Sequence, residues 1–167
     1  IFFSDRIEKF IPPKKGRKHI LYIIRELLDF KPESKRTNLQ GAIEYLTNVL
    51  KKRCTAFVLS DFIDDSDFKN ALTVANRKHD VIAMQVYDRR MEELPDVGLM
   101  RVRDAETGHE QWIDTSSKAL RNAHHAWWME RQEKLNDIFT RSNVDSVSVR
   151  TDQDYVKALM NLFAKRN

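Results

Sequence analysis

The sequence predicts an α/β fold: an open, mostly parallel sheet with helices on both faces. Apolar runs of strand length alternate along the chain with stretches whose apolar residues recur every three or four positions, the pattern of a parallel sheet with helical crossovers. Two of the runs, Thr-Ala-Phe-Val-Leu-Ser at 55–60 and Val-Ile-Ala-Met-Gln-Val-Tyr at 81–87, lack strict apolar–polar alternation, as strands covered on both faces do. A length of 167 residues, 41% hydrophobic and 32% charged, suits a single domain spanning 1–167.

The elements follow in order. The chain opens without methionine inside an apolar run, Ile1-Phe2-Phe3, which predicts that a longer polypeptide precedes it. Ile1–Ser4 and Ile7–Ile11 predict an antiparallel hairpin that turns at Asp5-Arg6 and stops at Pro12-Pro13. Ile20, Leu21, Ile23, Ile24, Leu27 and Leu28 form a broad stripe at helical spacing, predicting a helix over 17–30 that Pro32 ends. After a polar loop, Leu39, Ala42, Ile43, Leu46, Val49 and Leu50 predict a helix over 39–52, with Lys51-Lys52-Arg53 at the negative end of its dipole. Strand 55–60 leads through an acidic loop, 61–67, to a short helix marked by Phe68, Ala71, Leu72 and Ala75. Strand 81–87 ends at Asp88. Residues 99–102 and 111–113 predict a hairpin around Ala105-Glu106-Thr107-Gly108. Ser116-Ser117 can cap a long helix to about Arg141. A last strand spans 143–149, and Thr151 with Asp154 has the spacing of a capping box for a final helix burying Val156, Leu159, Met160 and Phe163.

Several function classes find little support. No apolar stretch approaches the ~18 residues that span a bilayer. The single cysteine, Cys54, excludes an internal disulfide or a multi-cysteine zinc site and reads as a small residue at a strand start. The net charge of +4 falls partly in two runs, Lys14-Lys15 with Arg17-Lys18 and Lys51-Lys52-Arg53, with no aromatic residues interleaved to favour nucleic acid. No glycine-rich phosphate loop, Gly-x-Ser-x-Gly elbow or His-Glu-x-x-His occurs. His124 and His125 are adjacent, so on a helix they point about 100° apart and do not chelate as a pair. Trp127 is predicted on the core stripe with Leu120, Ala123, Leu135, Ile138 and Phe139. Its neighbour Trp128 is predicted to be partly exposed and is the candidate anchor for a partner.

Parallel sheets bind ligands at the carboxyl ends of their strands. Asp5, Asp61 and Asp88 each follow a predicted strand. A hard cation takes carboxylates, hydroxyls and water, and Thr37, Ser60 and Asp61 are donors of that kind. An aspartate after a strand is more often a turn former or cap. Asp64, Asp65 and Asp67 read as a solvated loop capping the helix at Phe68 rather than as phosphoryl-transfer groups.

At these residues a family resemblance emerges. Phe2-Phe3-Ser4-Asp5, Thr37-Asn38-Leu39 and Phe57-Val58-Leu59-Ser60-Asp61 resemble successive landmarks of a von Willebrand factor A domain. More narrowly, 12–19, 79–83, 86–88, 92–99 and 151–156 are similar to the bacterial domain-of-unknown-function family fifty-eight; the run Glu93–Leu99 is specific, and the isolated Ser60-Asp61 is not. The resemblance covers nearly the whole chain. It implies a metal-ion-dependent adhesion site, in which a first loop carries Asp-x-Ser-x-Ser, a second a threonine and a third an aspartate. The last two match Thr37 and Asp61; the first motif does not occur in these residues and is expected before Ile1. Its strand is central in that fold, so a gap in the sheet between 1–4 and 55–60, or a pairing that the family lacks, is expected. Further implied are Mg²⁺ or Mn²⁺ in the full-length protein but not in this stretch, a MoxR-type AAA+ ATPase as partner, and a full-length protein anchored at the cytoplasmic face of the bacterial inner membrane. The function expected is a non-enzymatic protein-interaction module. The alternative is a metal-dependent hydrolase or phosphoryl-transfer enzyme in which Asp5, Asp61 and Asp88 share one coordination sphere.

Overall fold

A computed structural model describes residues 1–64 and 66–166. In chain order the elements are β1 (Phe2–Phe3), β2 (Ile7–Lys9), α1 (Arg17–Asp29), α2 (Leu39–Val49), β3 (Thr55–Ser60), α3 (Lys69–Lys78), β4 (Asp80–Tyr87), α4 (Arg89–Glu92), β5 (Leu99–Arg103), β6 (Glu110–Asp114), α5 (Lys118–Arg141), β7 (Asp145–Arg150) and α6 (Tyr155–Arg166). The predicted hairpins, strands and helices are all present, within a few residues of the expected ends.

The central sheet is parallel, in the order β3-β4-β7, with Thr55 opposite Asp80 and Ile82 opposite Asp145. Each crossover places a helix against it. On one face α2, α3 and α5 supply Leu39, Ile43, Leu72, Ala75, Leu135 and Phe139, which close over Val58, Val81 and Ala83 of the strands. On the other, α6 lays Phe163 edge-on against Phe57, at 6.4 Å between ring centroids. Arg166 at its end pairs with Asp80 and Asp145 at the start of β4 and β7. The result is the open, helix-flanked arrangement that the sequence predicts.

β1 and β2 pair only with each other and stand apart from β3. Between β1 and β3 runs a cleft of about 720 Å³, lined by Phe2, Phe3, Ala42, Ile43, Leu46 and the whole length of β3. The sheet is interrupted where the resemblance implies a gap. The carboxyl ends of β1 and β3 lie on one side. Ser4 C=O accepts from Asn38 N–H at the start of α2, and Leu39 N–H donates to Asp64 just beyond β3.

Packing corrects several expectations. β3 was expected to be covered on both faces, but it alternates: Val58 is buried while Phe57 and Leu59 are 42% and 57% exposed. The stripe of α1 has the spacing of a core helix, yet α1 buries none of its residues. In α6 only Leu162 is buried, and Val156, Met160 and Phe163 are exposed. The two tryptophans exchange roles. Trp128 is 3% exposed and packs on Tyr87 at 5.0 Å, so it is not a surface anchor; Trp127 is 44% exposed. The core-facing stripe of α5 runs Trp128, Leu135, Phe139, an i, i+7, i+11 series that excludes Trp127. Thr151 does not cap α6: its hydroxyl donates to Asp88, and Asp154 accepts from Val156 N–H instead.

These exposures add up to a measurable surplus. A compact monomer of 19.7 kDa exposes roughly 8,600 Å² by the mass scaling. This chain exposes 11826 Å². Exposed aliphatic and aromatic residues of α1, the outer face of β3 and α6 contribute to it.

Candidate functional site

The carboxyl ends of β1, β3 and β4 form a rim with the loop before α2. Asp61 leaves β3 exposed, and Gln85 of β4, 2% exposed, donates to the Asp61 carbonyl at 3.4 Å while its own carbonyl accepts from Ser148 on β7 at 2.9 Å. The chain then bends sharply. Phe62 has φ 56°, a left-handed conformation rare for a bulky residue. Ser60 Oγ accepts from Phe62 N–H at 3.0 Å, Asp61 Oδ1 accepts from Ile63 N–H at 3.1 Å, and Arg131 donates to the Phe62 carbonyl at 3.1 Å. The Phe62 ring meanwhile packs on Phe139 at 5.1 Å. Core packing and three hydrogen bonds therefore hold a strained backbone directly after Asp61.

Thr37 is half-buried and lines the mouth of the cleft with Ser4, Ser34 and Ser60. The rim thus carries both Thr37 and Asp61, but Asp61 spends one carboxylate oxygen on its own turn. Asp64 does not cap the helix at Phe68. It accepts from Leu39 N–H at 2.6 Å and from Ser66, tying the β3 loop to the N-terminus of α2, where a carboxylate complements the helix dipole. Asp67 accepts from Lys69 N–H at 3.3 Å. Asp65 lies outside the described residues. Ser4 Oγ sits 2.7 Å from Glu8 and 3.2 Å from Asp5. This hydroxyl, with the Glu33 and Ser34 amides, holds the Glu8 carboxyl below the usual carboxylate range.

Asp88 caps α4 through Arg90 N–H and takes no part in the Asp61 turn. Among the described residues no group of three His, Cys, Asp or Glu side chains is placed to hold a metal ion, so Asp5, Asp61 and Asp88 share a rim and not a coordination sphere. Thr37 and Asp61 fit a divalent cation in donor type, as part of a larger set. Two buried polar residues escaped the sequence reading. Gln85 was legible as the one polar side chain inside an apolar strand. Thr115 was not: it is fully buried at the base of the β5–β6 hairpin, and its hydroxyl donates to Gly98 C=O and accepts from Val97 N–H.

Residues 1–134 match the family described as Protein of unknown function DUF58. The chain belongs to the DUF58 family. It is 29% identical over 160 residues to uncharacterised proteins of Mycobacterium tuberculosis and Mycobacterium bovis, over 93% of this chain and 50% of theirs. It therefore spans about half the length of those relatives. To an uncharacterised protein of Mycobacterium avium it is 25% identical over 158 residues, 93% of each chain. Among solved structures it is similar to the conserved hypothetical protein BatB from Bacteroides thetaiotaomicron, with a TM-score of 0.49 and 14% identity over 87% of this chain and 68% of that one. No described helix of this DUF58 chain is long and apolar enough to cross a membrane.

Proposed function

We propose that this DUF58 chain is a non-enzymatic protein-interaction module whose rim binds its partner with the help of a divalent cation. The observation that carries it is the rim, where the half-buried Thr37 at the mouth of the cleft and the exposed Asp61 at the end of β3 lie on one side of the sheet. The exposed aliphatic and aromatic side chains of α1, β3 and α6 add apolar surface of the kind that protein contacts cover. At the rim, Thr37 and Asp61 would supply part of the shell of a Mg²⁺ or Mn²⁺ ion, with other donors coming from outside these residues. An ion with an open position would accept a carboxylate from the partner. A MoxR-type AAA+ ATPase is the partner that the family resemblance favours.

The test is direct binding between the full-length DUF58 protein and the purified MoxR-type ATPase of the same organism, in Mg²⁺ and in chelator. We expect binding in Mg²⁺ that weakens at least tenfold on chelation and equally in Asp61→Ala. Binding indifferent to both changes would remove the cation from the mechanism, and absence of binding would remove the ATPase.

A further inference from the structure

Among the described residues β5 and β6 pair with each other and with no other strand. A two-stranded hairpin is marginal in water by itself, so what covers its faces matters to its stability. One face turns inward: Met100, Val102 and Ile113 are half-buried. The base is anchored. The buried Thr115 hydroxyl bonds Gly98 C=O and Val97 N–H, and Arg121 of α5 pairs with Asp96 at 3.0 Å. The other face is open. Side chains alternate along a strand, so Leu99, Arg101 and Arg103 of β5 share it with Asp114, Trp112 and Glu110 of β6. All six are exposed, Trp112 to 64% and Leu99 to 67%.

The two rows of this face differ in charge. β5 contributes two guanidinium groups and an aliphatic side chain; β6 contributes two carboxylates and an indole. The register sets them side by side at equal heights: Leu99 beside Asp114, Arg101 beside Trp112, Arg103 beside Glu110. Consider a second copy stacked on this face and related to the first by a half-turn about an axis parallel to the strands. The operation keeps each residue's height and exchanges the rows, so β5 of each copy lies over β6 of the other. Arg101 then meets the Trp112 indole and Arg103 meets Glu110, each twice, as an isologous contact requires. A guanidinium over an indole is the favoured cation–π pairing. Leu99 alone gains no matching partner, because Asp114 is held in its own turn by the amide and hydroxyl of Ser116. Within one chain Arg101 reaches Glu110 at 3.5 Å, but both are largely exposed, and an ion pair in that setting is worth little and readily exchanged. A half-turn about an axis across the strands would instead set arginine against arginine.

We propose that the open face of the β5–β6 hairpin is a self-association surface, and that its occupant is the same face of a second copy of this chain. Sheets stacked face to face lie about 10 Å apart, so the side chains of the two layers meet. Six side chains of this kind cover roughly 500 Å² per copy and ~1,000 Å² in the pair, at the lower bound of specific interfaces. The dimer is therefore weak, with a Kd on the order of 100 µM. Trp112 lies at the centre of the face, the position and the residue type of an interface anchor. The contact uses none of the rim residues and does not depend on the cation or the partner proposed there.

The experiment is sedimentation velocity of the 167-residue protein across a concentration range that brackets the expected Kd, up to about 500 µM. We expect a reversible monomer–dimer equilibrium that weakens as salt is raised. Trp112→Ala should weaken it at least roughly 30-fold. Arg103→Glu and Glu110→Arg should each weaken it at least about tenfold, because each sets like charges against one another twice. An equimolar mixture of these two variants pairs Glu with Arg at both contacts and should dimerise within about threefold of the unaltered protein. Mixing leaves untouched the like charges side by side within each variant's own hairpin, so the recovery reads the contact between copies. Trp127→Ala on α5 is the control and should associate as the unaltered protein does. Each variant is checked for an unchanged circular dichroism spectrum. A protein that stays monomeric over the whole range, undiminished association of Trp112→Ala or Arg103→Glu, equal weakening by Trp127→Ala, or a mixture no better than its components would each overturn the proposal.

Discussion

Two leucines with identical chemistry occupy opposite environments, and truncating each reads the packing directly. Leu72 on α3 is 0% exposed, inside the cluster of Leu39, Ile43, Val58 and Ala75. Leu28 on α1 is 79% exposed. Leu→Ala removes the equivalent of about three methylenes, worth ~2.4 kcal/mol of transfer free energy when fully buried. An unfilled cavity in a well-packed site brings the cost at Leu72 to about 3–4 kcal/mol. At Leu28 the same change should stay within about 0.5 kcal/mol. Urea unfolding followed by circular dichroism should show a lower midpoint for Leu72→Ala at unchanged slope, and a thermal midpoint lower by roughly 6–16 °C. A loss below ~1 kcal/mol at Leu72 would refute the core described. A loss above ~1.5 kcal/mol at Leu28 would show the face of α1 to be packed against protein in solution.

The tryptophans separate in the same way: Trp128→Ala should cost about 3–5 kcal/mol and Trp127→Ala under ~1 kcal/mol. With Trp112 and Trp127 replaced by Phe, the remaining Trp128 emission should resist acrylamide; ready quenching would return Trp128 to the surface. Burial holds His79 below its ordinary pKa, with Lys78 adding to the effect. The unfolded chain takes up a proton near pH 6.5 that the folded chain resists, so stability is full above that pH and declines as pH falls through the lower folded value. Urea midpoints between pH 7.5 and 5.5 should fall for the natural protein and fall less for His79→Gln, and identical slopes would discount the histidine.

Secondary structure was legible because local rules agree with the fold: caps at Asn38 and Ser117 accept from Gly41 and Leu120 as their positions demand. Burial was less legible, for a physical reason. Periodicity reports which face of an element is apolar, not whether anything covers it. The stripes of α1 and α6 and the apolar run of β3 are real, but among the described residues they are covered only in part, as where Phe163 meets Phe57. For Trp127 and Trp128 the failure was one of phase. Trp127 is in phase with Leu120, Ala123 and Ile138, and Trp128 with Leu135 and Phe139, and contact with the Tyr87 ring shows that the second set turns inward. At the rim, Thr37 and Asp61 could be named from type and position. The left-handed Phe62 and the Asp64 bridge to α2 could not, because they depend on residues 25 or more positions apart meeting in space.

That bridge bears on how a cation would act. Asp64 on Leu39 N–H, Gln85 on the Asp61 carbonyl and Arg131 on the Phe62 carbonyl shape the loop with protein bonds alone. The loop geometry therefore does not wait for an ion, and binding one would cost little rearrangement. If the rim were instead ordered by the cation, Asp61→Ala and chelation would loosen the whole loop together with α2. With the loop already tied, chelation should remove partner affinity and leave the thermal midpoint nearly unmoved, while Asp61→Ala, which also loses the acceptor of Ile63 N–H, should lower the midpoint by only about 2–4 °C. Affinity on chelation then reports the cation, and the larger loss of stability belongs to Asp64, which ties the loop to α2.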